Sequence, residues 1–320
     1  LQKGHGALYF DLVYTVDFGP GATRNDALPV IRKANALGVT VKAWFTAPLA
    51  HGTFANENNA GFEDAAVKAF LQWRNAQRLR INEVVLDLEF PAGYQAAIDA
   101  ASPAKLAANR GTIDPAHQCS AIRAYARTIS WAHRHGLVLS GSPMPFLLDD
   151  LDNHDIALAD TIDAAPLIPH AYDHLYLQSY RTYSNTGPDY PAQYQRRMHH
   201  YFGRAGEISL GHTTMGPPYQ SVDALVADVR TAVALGATAI PIFELASSVQ
   251  KYGAAGIRRV LDAGRHPMSP GGVVAASRPR RMTTANLTFF GTLNRSATAV
   301  SPSANAYPTG CPVHVDPLRR

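Results

Sequence analysis

Two carboxylates stand two residues apart in the run VVLDLEF at 84–90: Asp87 and Glu89. The run is apolar and β-branched, so it reads as a strand. On a strand, residues i and i+2 point the same way. Asp87 and Glu89 therefore share a face with Val85, while Leu86 and Leu88 share the other. Two carboxylates on one face of such a strand are costly to bury, and each disfavours ionisation of the other. One is expected to hold a proton near neutrality while its neighbour stays charged, the pairing a general acid needs. The plain alternative is a pair of loop-capping or arginine-bound carboxylates, with Arg110 or Arg181 as partner.

The elements that must position this pair follow from patterning. Short β-rich runs occur at 7–14, 39–46, 83–90, 137–143, 174–180, 207–212 and 239–245. Helical periodicity fills 26–37, 60–78, 118–135 and 221–235, with Gly38, Gly136 and Gly236 as stops and Ser221 as an N-cap. Near-continuous apolar strands alternating with helices predict a parallel sheet covered by helices. The repeat length fits a (β/α)8 TIM-type barrel, and no Gly-x-Gly-x-x-Gly follows the first strand to favour a dinucleotide fold. Seven runs are visible where a closed barrel needs eight. The missing first strand is expected before Leu1, with the segment LTFFGTL at 287–293 as the other source. Residues 1–265 read as the barrel catalytic domain and 266–320 as a Pro-, Ser- and Arg-rich irregular tail.

In such a barrel the chemistry gathers at the C-terminal ends of the strands. The strand-closing residues assigned to a site are Asp11, Trp44, Gln178, Tyr180, His212 and Glu244, besides Asp87 and Glu89. Trp44, Phe90, Tyr94, Tyr180 and Tyr183 offer aromatic faces on which a sugar ring stacks. Trp73 and Trp131 fall within helical patterns and read as core. Only one of Phe243 and Glu244 can point inward. If Glu244 does, it faces Glu89 across the mouth, the arrangement of a glycosidase carboxylate pair. The polar, aromatic stretch 180–194 reads as a long active-face loop, and the Asn-rich stretch 51–61 is similarly placed.

Asp-x-Glu closing a barrel strand resembles the catalytic strand of family 18 glycoside hydrolases, the chitinase-like family, whose motif is Asp-x-x-Asp-x-Asp-x-Glu. Aligned on Glu89, the positions here are Asn82, Val85, Asp87 and Glu89, of which the last two match. The resemblance implies that Glu89 protonates the glycosidic oxygen, that Asp87 is its partner and that Tyr180 assists from the sixth strand. Phe243 stands where that family has a floor tryptophan. The implied substrate is a poly- or oligosaccharide. Two other classes fit the same residues. One is a metal-dependent barrel lyase, isomerase or phosphodiesterase using Asp87, Glu89, His212 and Glu244. The other is a non-catalytic carbohydrate-binding barrel, which typically lacks the acid that Glu89 supplies here.

Composition narrows the remaining classes. The chain has 320 residues, 46% hydrophobic and 17% charged, enough for a full core. The net charge of +4 conceals an asymmetry: residues 266–320 carry +5 and residues 1–265 carry −1. The basic character belongs to the tail, so no nucleic-acid partner is expected for the body. No apolar run approaches the ~18 residues of a membrane span. No cofactor is expected and no metal-ligand set is assigned; the oligomeric state stays open. No Gly-x-Ser-x-Gly elbow or phosphate-cradling loop favours an esterase or a kinase. The start at Leu1 fits a removed leader or a shortened sequence. A Cys119–Cys311 bridge would suit export, and two free thiols fit equally well. A secreted or extracytoplasmic protein is the expectation.

Overall fold

The computed structural model describes residues 7–13, 22–99, 115–153, 157–168, 171–181, 189–211, 213 and 219–265. The strands are β1 (Ala7–Val13), β2 (Thr40–Thr46), β3 (Ile81–Leu88), β4 (Val138–Pro143), β5 (Leu175–Gln178), β6 (Gly206–Gly211) and β7 (Ile242–Phe243). The helices are α1 (Ala22–Ala36), α2 (Ala60–Ala76), α3 (Gln95–Asp99), α4 (Pro115–Arg134), α5 (Leu147–Asn153), α6 (Ala157–Thr161), α7 (Tyr190–Phe202), α8 (Val222–Ala234) and α9 (Leu245–Arg265). Every β-rich run of the sequence overlaps one of these strands, with β3 and β6 beginning one or two residues before their runs. Among the described residues there are seven strands, and closing a (β/α)8 barrel would take an eighth. The segment 287–293, the tail from 266 onward, Tyr183 and Arg110 lie outside the described residues.

The chain divides into two compact units, the first mainly β1–β4 with α1–α6, the second mainly β5–β7 with α7–α9. In the first unit the strand order is β1-β2-β3-β4, and β2–β3 and β3–β4 are parallel. In the second it is β5-β6-β7, again parallel. Parallel pairing with helical connections is the α/β architecture that the alternation predicts.

Register sorts the first unit's side chains. Trp44, Val85 and Ser140 are paired across three strands, and Asp87 pairs with Ser142. Phe45 pairs with Leu86 on the opposite face. That face meets the helices: the Phe45 ring lies edge-on to Phe70 of α2, with centroids 5.3 Å apart. The helix-facing side is thus apolar, and the other side carries the polar groups.

Three sequence expectations are corrected. The stretch 180–194 is not one loop, because α7 begins at Tyr190. Pro191 sits in the first turn of α7, where its missing N–H costs nothing, and residues 190–202 bury Tyr194, Met198 and Phe202 along one stripe. Ser221 occupies the N-cap of α8 with extended backbone, yet its side chain makes no capping hydrogen bond. Trp73 and Trp131 are half-buried rather than core. The long α9 is broken at Gly253, whose φ of 66° no β-branched residue would accept readily.

The polar face of the sheet contains a buried ion pair. Lys42 Nζ lies 2.8 Å from Glu83 Oε2, and Ser140 Oγ donates to Glu83 Oε1 at 2.9 Å. Removing Lys42 takes the cation away from a buried carboxylate, which costs more than the pair itself contributes. Lys42→Met is expected to destabilise the protein by about 3 kcal/mol. Adding Glu83→Leu should restore most of that loss. Urea unfolding of the two variants beside the wild type measures both values.

Candidate active site at the end of the third strand

β3 ends at Leu88, so Glu89 and Phe90 stand just past it rather than within it. Pairing nevertheless continues. Residues 52–59 fold back over the strand end, and Ala55 forms a parallel bridge with Leu88. The Ala55 N–H donates to the Asp87 carbonyl at 2.8 Å, and the Glu89 N–H donates to the Ala55 carbonyl at 3.0 Å. On the other side, the Ala165 N–H donates to the Glu89 carbonyl at 2.9 Å. The Glu89 backbone is therefore held from both flanks. Asp87 is 7% exposed and Glu89 9%. Phe90 is buried beside them, its ring stacked on Phe146 with centroids 6.4 Å apart.

The fold-back depends on local chemistry. Gly52 has φ 88°, and a Cβ there would come within 2.7 Å of Asn56 Nδ2. The Gly52 carbonyl accepts from the Ala92 N–H at 3.0 Å. Asn59 Nδ2 donates to the carbonyls of His51 at 2.8 Å and Phe54 at 2.7 Å. Asn59 Oδ1 accepts the Asn56 N–H at 2.9 Å. Short asparagine side chains here replace backbone partners, a common role for Asn in tight loops.

A second polar network adjoins the loop. Tyr94 donates to Asp163 Oδ2 at 2.6 Å, and Asn58 Nδ2 donates to the same oxygen at 3.1 Å. The Glu57 N–H donates to the Asp163 carbonyl at 2.9 Å. His117 Nε2 lies 3.0 Å from Asn58 Oδ1 and 4.0 Å from Glu57 Oε1. Asp163 has φ 51°, an uncommon conformation for a non-glycine residue. Sequence reasoning missed Glu57, Asp163 and His117 as neighbours of this site. The Asn-rich stretch 51–61 pointed to the loop, whereas nothing local marks Asp163.

In the second unit, Gln178 pairs with Ser209, and Gly211 pairs with Phe243. The Tyr180 ring stacks near Phe243, with centroids 6.1 Å apart. Gly211 allows this approach, since a Cβ there would lie 2.6 Å from the Phe243 carbonyl oxygen and 3.3 Å from the Tyr180 ring. Arg181 forks onto Asp228, with Nε at 2.6 Å and Nη2 at 2.7 Å, and Tyr219 donates to Asp228 at 2.8 Å. Burial lowers the Arg181 guanidinium's pKa, but the Asp228 carboxylate more than offsets this, so it stays charged.

The predicted site residues thus fall into two groups. Trp44, Asp87 and Glu89 belong to the first unit, where Trp44 and Asp87 share a sheet face; Gln178 and Tyr180 belong to the second. Trp44, Gln178 and Tyr180 are buried, whereas Glu244 is exposed and Phe243 is the residue that meets Tyr180. Asp11 stands on β1 with its side chain outside what is described, and His212 lies outside the described residues. Among the described residues, no group of three or more His, Cys, Asp or Glu could hold a metal ion.

No protein-family model matches the sequence, and no curated protein matches it. Solved structures do. The glycoside hydrolase domain of PgaB (BpsB) from Bordetella bronchiseptica matches at 12% identity and a TM-score of 0.46, over 82% of this chain and 89% of that one. A chitinase from Rhizomucor miehei matches at 12% identity and 0.48, over 80% and 99%. An L-ribulose 3-epimerase matches at 12% and 0.46, over 82% and 87%.

Beneath the loop, Glu63 of α2 is fully buried, and this raises its pKa from 4.5 to about 8. The unfolded chain releases that proton near 4.5, while the folded chain keeps it until about 8. Folding therefore binds a proton in that interval. The stabilisation is complete below pH 4.5 and is lost as the pH rises toward 8. At about 1.4 kcal/mol per pH unit, the decline is on the order of 5 kcal/mol. Glu63→Gln should flatten the slope, measured by urea unfolding between about pH 5 and pH 8.

Proposed function

We propose that this chain is a glycoside hydrolase built on a (β/α)8-type barrel, acting on a poly- or oligosaccharide. Glu89 is the general acid/base and Asp87 its electrostatic partner. The observation that carries this reading is the burial of both carboxylates at the C-terminal end of a parallel strand, with the Glu89 backbone clamped from two sides. A group held that firmly can keep the geometry that proton transfer requires. Glu89 donates its proton to the glycosidic oxygen as the C–O bond breaks, Asp87 remains ionised beside the positive charge that develops on the sugar ring, and water then bonds to the anomeric carbon as its proton passes back to Glu89. Tyr180 supplies a phenol that orients the substrate or stabilises its transition state. Asp11, Trp44, Gln178, His212 and Glu244 complete the substrate contacts, with Trp44 offering a ring on which a sugar stacks. Residues 1–265 form the catalytic domain and 266–320 its tail. Cys119 is disulfide-bonded, which supports a secreted or extracytoplasmic setting.

The test is hydrolysis of a panel of polysaccharides and aryl glycosides by the wild type and Glu89→Gln, with EDTA in a parallel series. Activity is expected to survive EDTA and to fall by about 10²-fold or more in the variant. Loss of activity with EDTA, or full activity of Glu89→Gln, would sink the assignment.

A further inference from the structure

A chain of side-chain hydrogen bonds runs beside the end of β3 and finishes at a solvent-facing imidazole. It lies wholly within the first unit. The Tyr94 hydroxyl and Asn58 Nδ2 both donate to Asp163 Oδ2, at 2.6 Å and 3.1 Å. Asn58 Oδ1 in turn lies 3.0 Å from Nε2 of His117, in the first turn of α4. Glu57 Oε1 stands 4.0 Å from the same nitrogen. Glu57 and Asp163 are buried, whereas the His117 side chain is 50% exposed. Asp163, the hub, keeps its φ of 51°, a conformation that persists where the surroundings over-determine it.

The order of donors fixes the imidazole. Asp163 Oδ2 accepts, so the Asn58 amide presents its NH2 to that oxygen. The Asn58 carbonyl oxygen is then the atom that meets His117, and an amide oxygen only accepts. His117 Nε2 therefore carries the hydrogen, and in the neutral ring Nδ1 is the acceptor. Nδ1 makes no hydrogen bond with any described residue. Ring orientation and tautomer are thus set through one nitrogen, and the lone pair of the other is left open.

The segment that carries Asn58 is the one that clamps Glu89. Ala55, three residues earlier, is bonded to Asp87 and Glu89, and Ala165, two residues after Asp163, donates to the Glu89 carbonyl. Three residues of chain span at most about 11 Å. His117 is therefore at the same end of the strand as Glu89, set back from it by the width of the loop. A ligand for Nδ1 must donate a hydrogen, which an anion does not do and a hydroxyl does.

We propose that His117 is a substrate-binding residue, whose Nδ1 accepts a hydrogen bond from a hydroxyl of a sugar unit lying beside the bond that Glu89 cleaves. The proposal rests on the carbohydrate reading of the site. Asn58 and Asp163 are positioning residues that act through His117.

The experiment measures binding of neutral hexose and N-acetylhexosamine oligosaccharides to the full chain carrying Glu89→Gln, alone and combined with His117→Ala or His117→Gln. Alanine removes the acceptor. Glutamine again offers a donor toward Asn58 and an acceptor outward. His117→Ala is expected to weaken binding about 3- to 10-fold, and His117→Gln to restore most of it. Unchanged binding by the alanine variant overturns the proposal, as does a panel of which no member binds. Nitrogen NMR of the imidazole checks the geometry without any sugar: a neutral His117 protonated at Nδ1 instead of Nε2 overturns the proposal as well. Hydrolysis of the same oligosaccharides by the wild type separates the two readings. Hydrolysis without a His117 effect on binding leaves the glycosidase standing and refutes the role of His117. A His117 effect without hydrolysis does the reverse.

Discussion

Ala55 is hydrogen-bonded to the residues on either side of the one it faces. Its N–H reaches Asp87 and its carbonyl receives Glu89. The end of a parallel strand ordinarily leaves its backbone groups to solvent or to the next loop. Here the loop after β2 returns to close the end of β3, and a connection after α6 closes its other edge at Ala165. A buried backbone must have its donors and acceptors met. These bonds meet them for Asp87 and Glu89, and so let the chain bury carboxylates where a helical connection would otherwise begin. The left-handed turn at Gly52 and the side-chain bonds of Asn56 and Asn59 all serve to deliver Ala55 to that position.

The strands themselves explain why the polar chemistry lies on one side. β2, β3 and β4 present Phe45 and Leu86 to the helices, and Lys42, Glu83, Asp87, Ser140 and Ser142 to the other face. A sheet with apolar residues on both faces would be the simpler core. This one keeps a polar interior and satisfies it locally, with the Lys42–Glu83–Ser140 set as an example. The second unit does the same with Arg181, Asp228 and Tyr219, a fork that secures the residue following Tyr180 to α8. Such buried pairs contribute geometry more surely than stability.

Much of this was legible in the sequence, because it is local. Strand runs, helix stops and the shared face of Asp87 and Val85 follow from a period of two and from glycine. Glu63 had a readable signature too: it shares a helical stripe with Val67 and Phe70, an acid on an apolar face. What was not legible depends on contacts between distant segments. Asp163 matters only because Tyr94 and Asn58 reach it, and no spacing within its own stretch says so. The start of α7 was hidden by a Pro-, Gly- and Asn-rich approach that reads as loop until packing of Tyr194 and Met198 decides otherwise. The choice between Phe243 and Glu244 was likewise open on sequence alone, since alternation allows either register.

Buried carboxylates are common in this chain, so burial by itself cannot mark a catalytic one. Glu83 and Asp87 make the comparison internal, because they lie on the same strand and the same face. Glu83 is near the start of β3, where Lys42 neutralises it and Ser140 donates to it. Asp87 is at the opposite end, beside Glu89 and under a loop that no regular element requires. In strand–helix alternation the C-terminal ends carry the variable loops that meet ligands, while the N-terminal ends bear on stability. By that polarity Glu83 lies at the end that bears on stability, and Asp87 and Glu89 lie at the end that carries the loops.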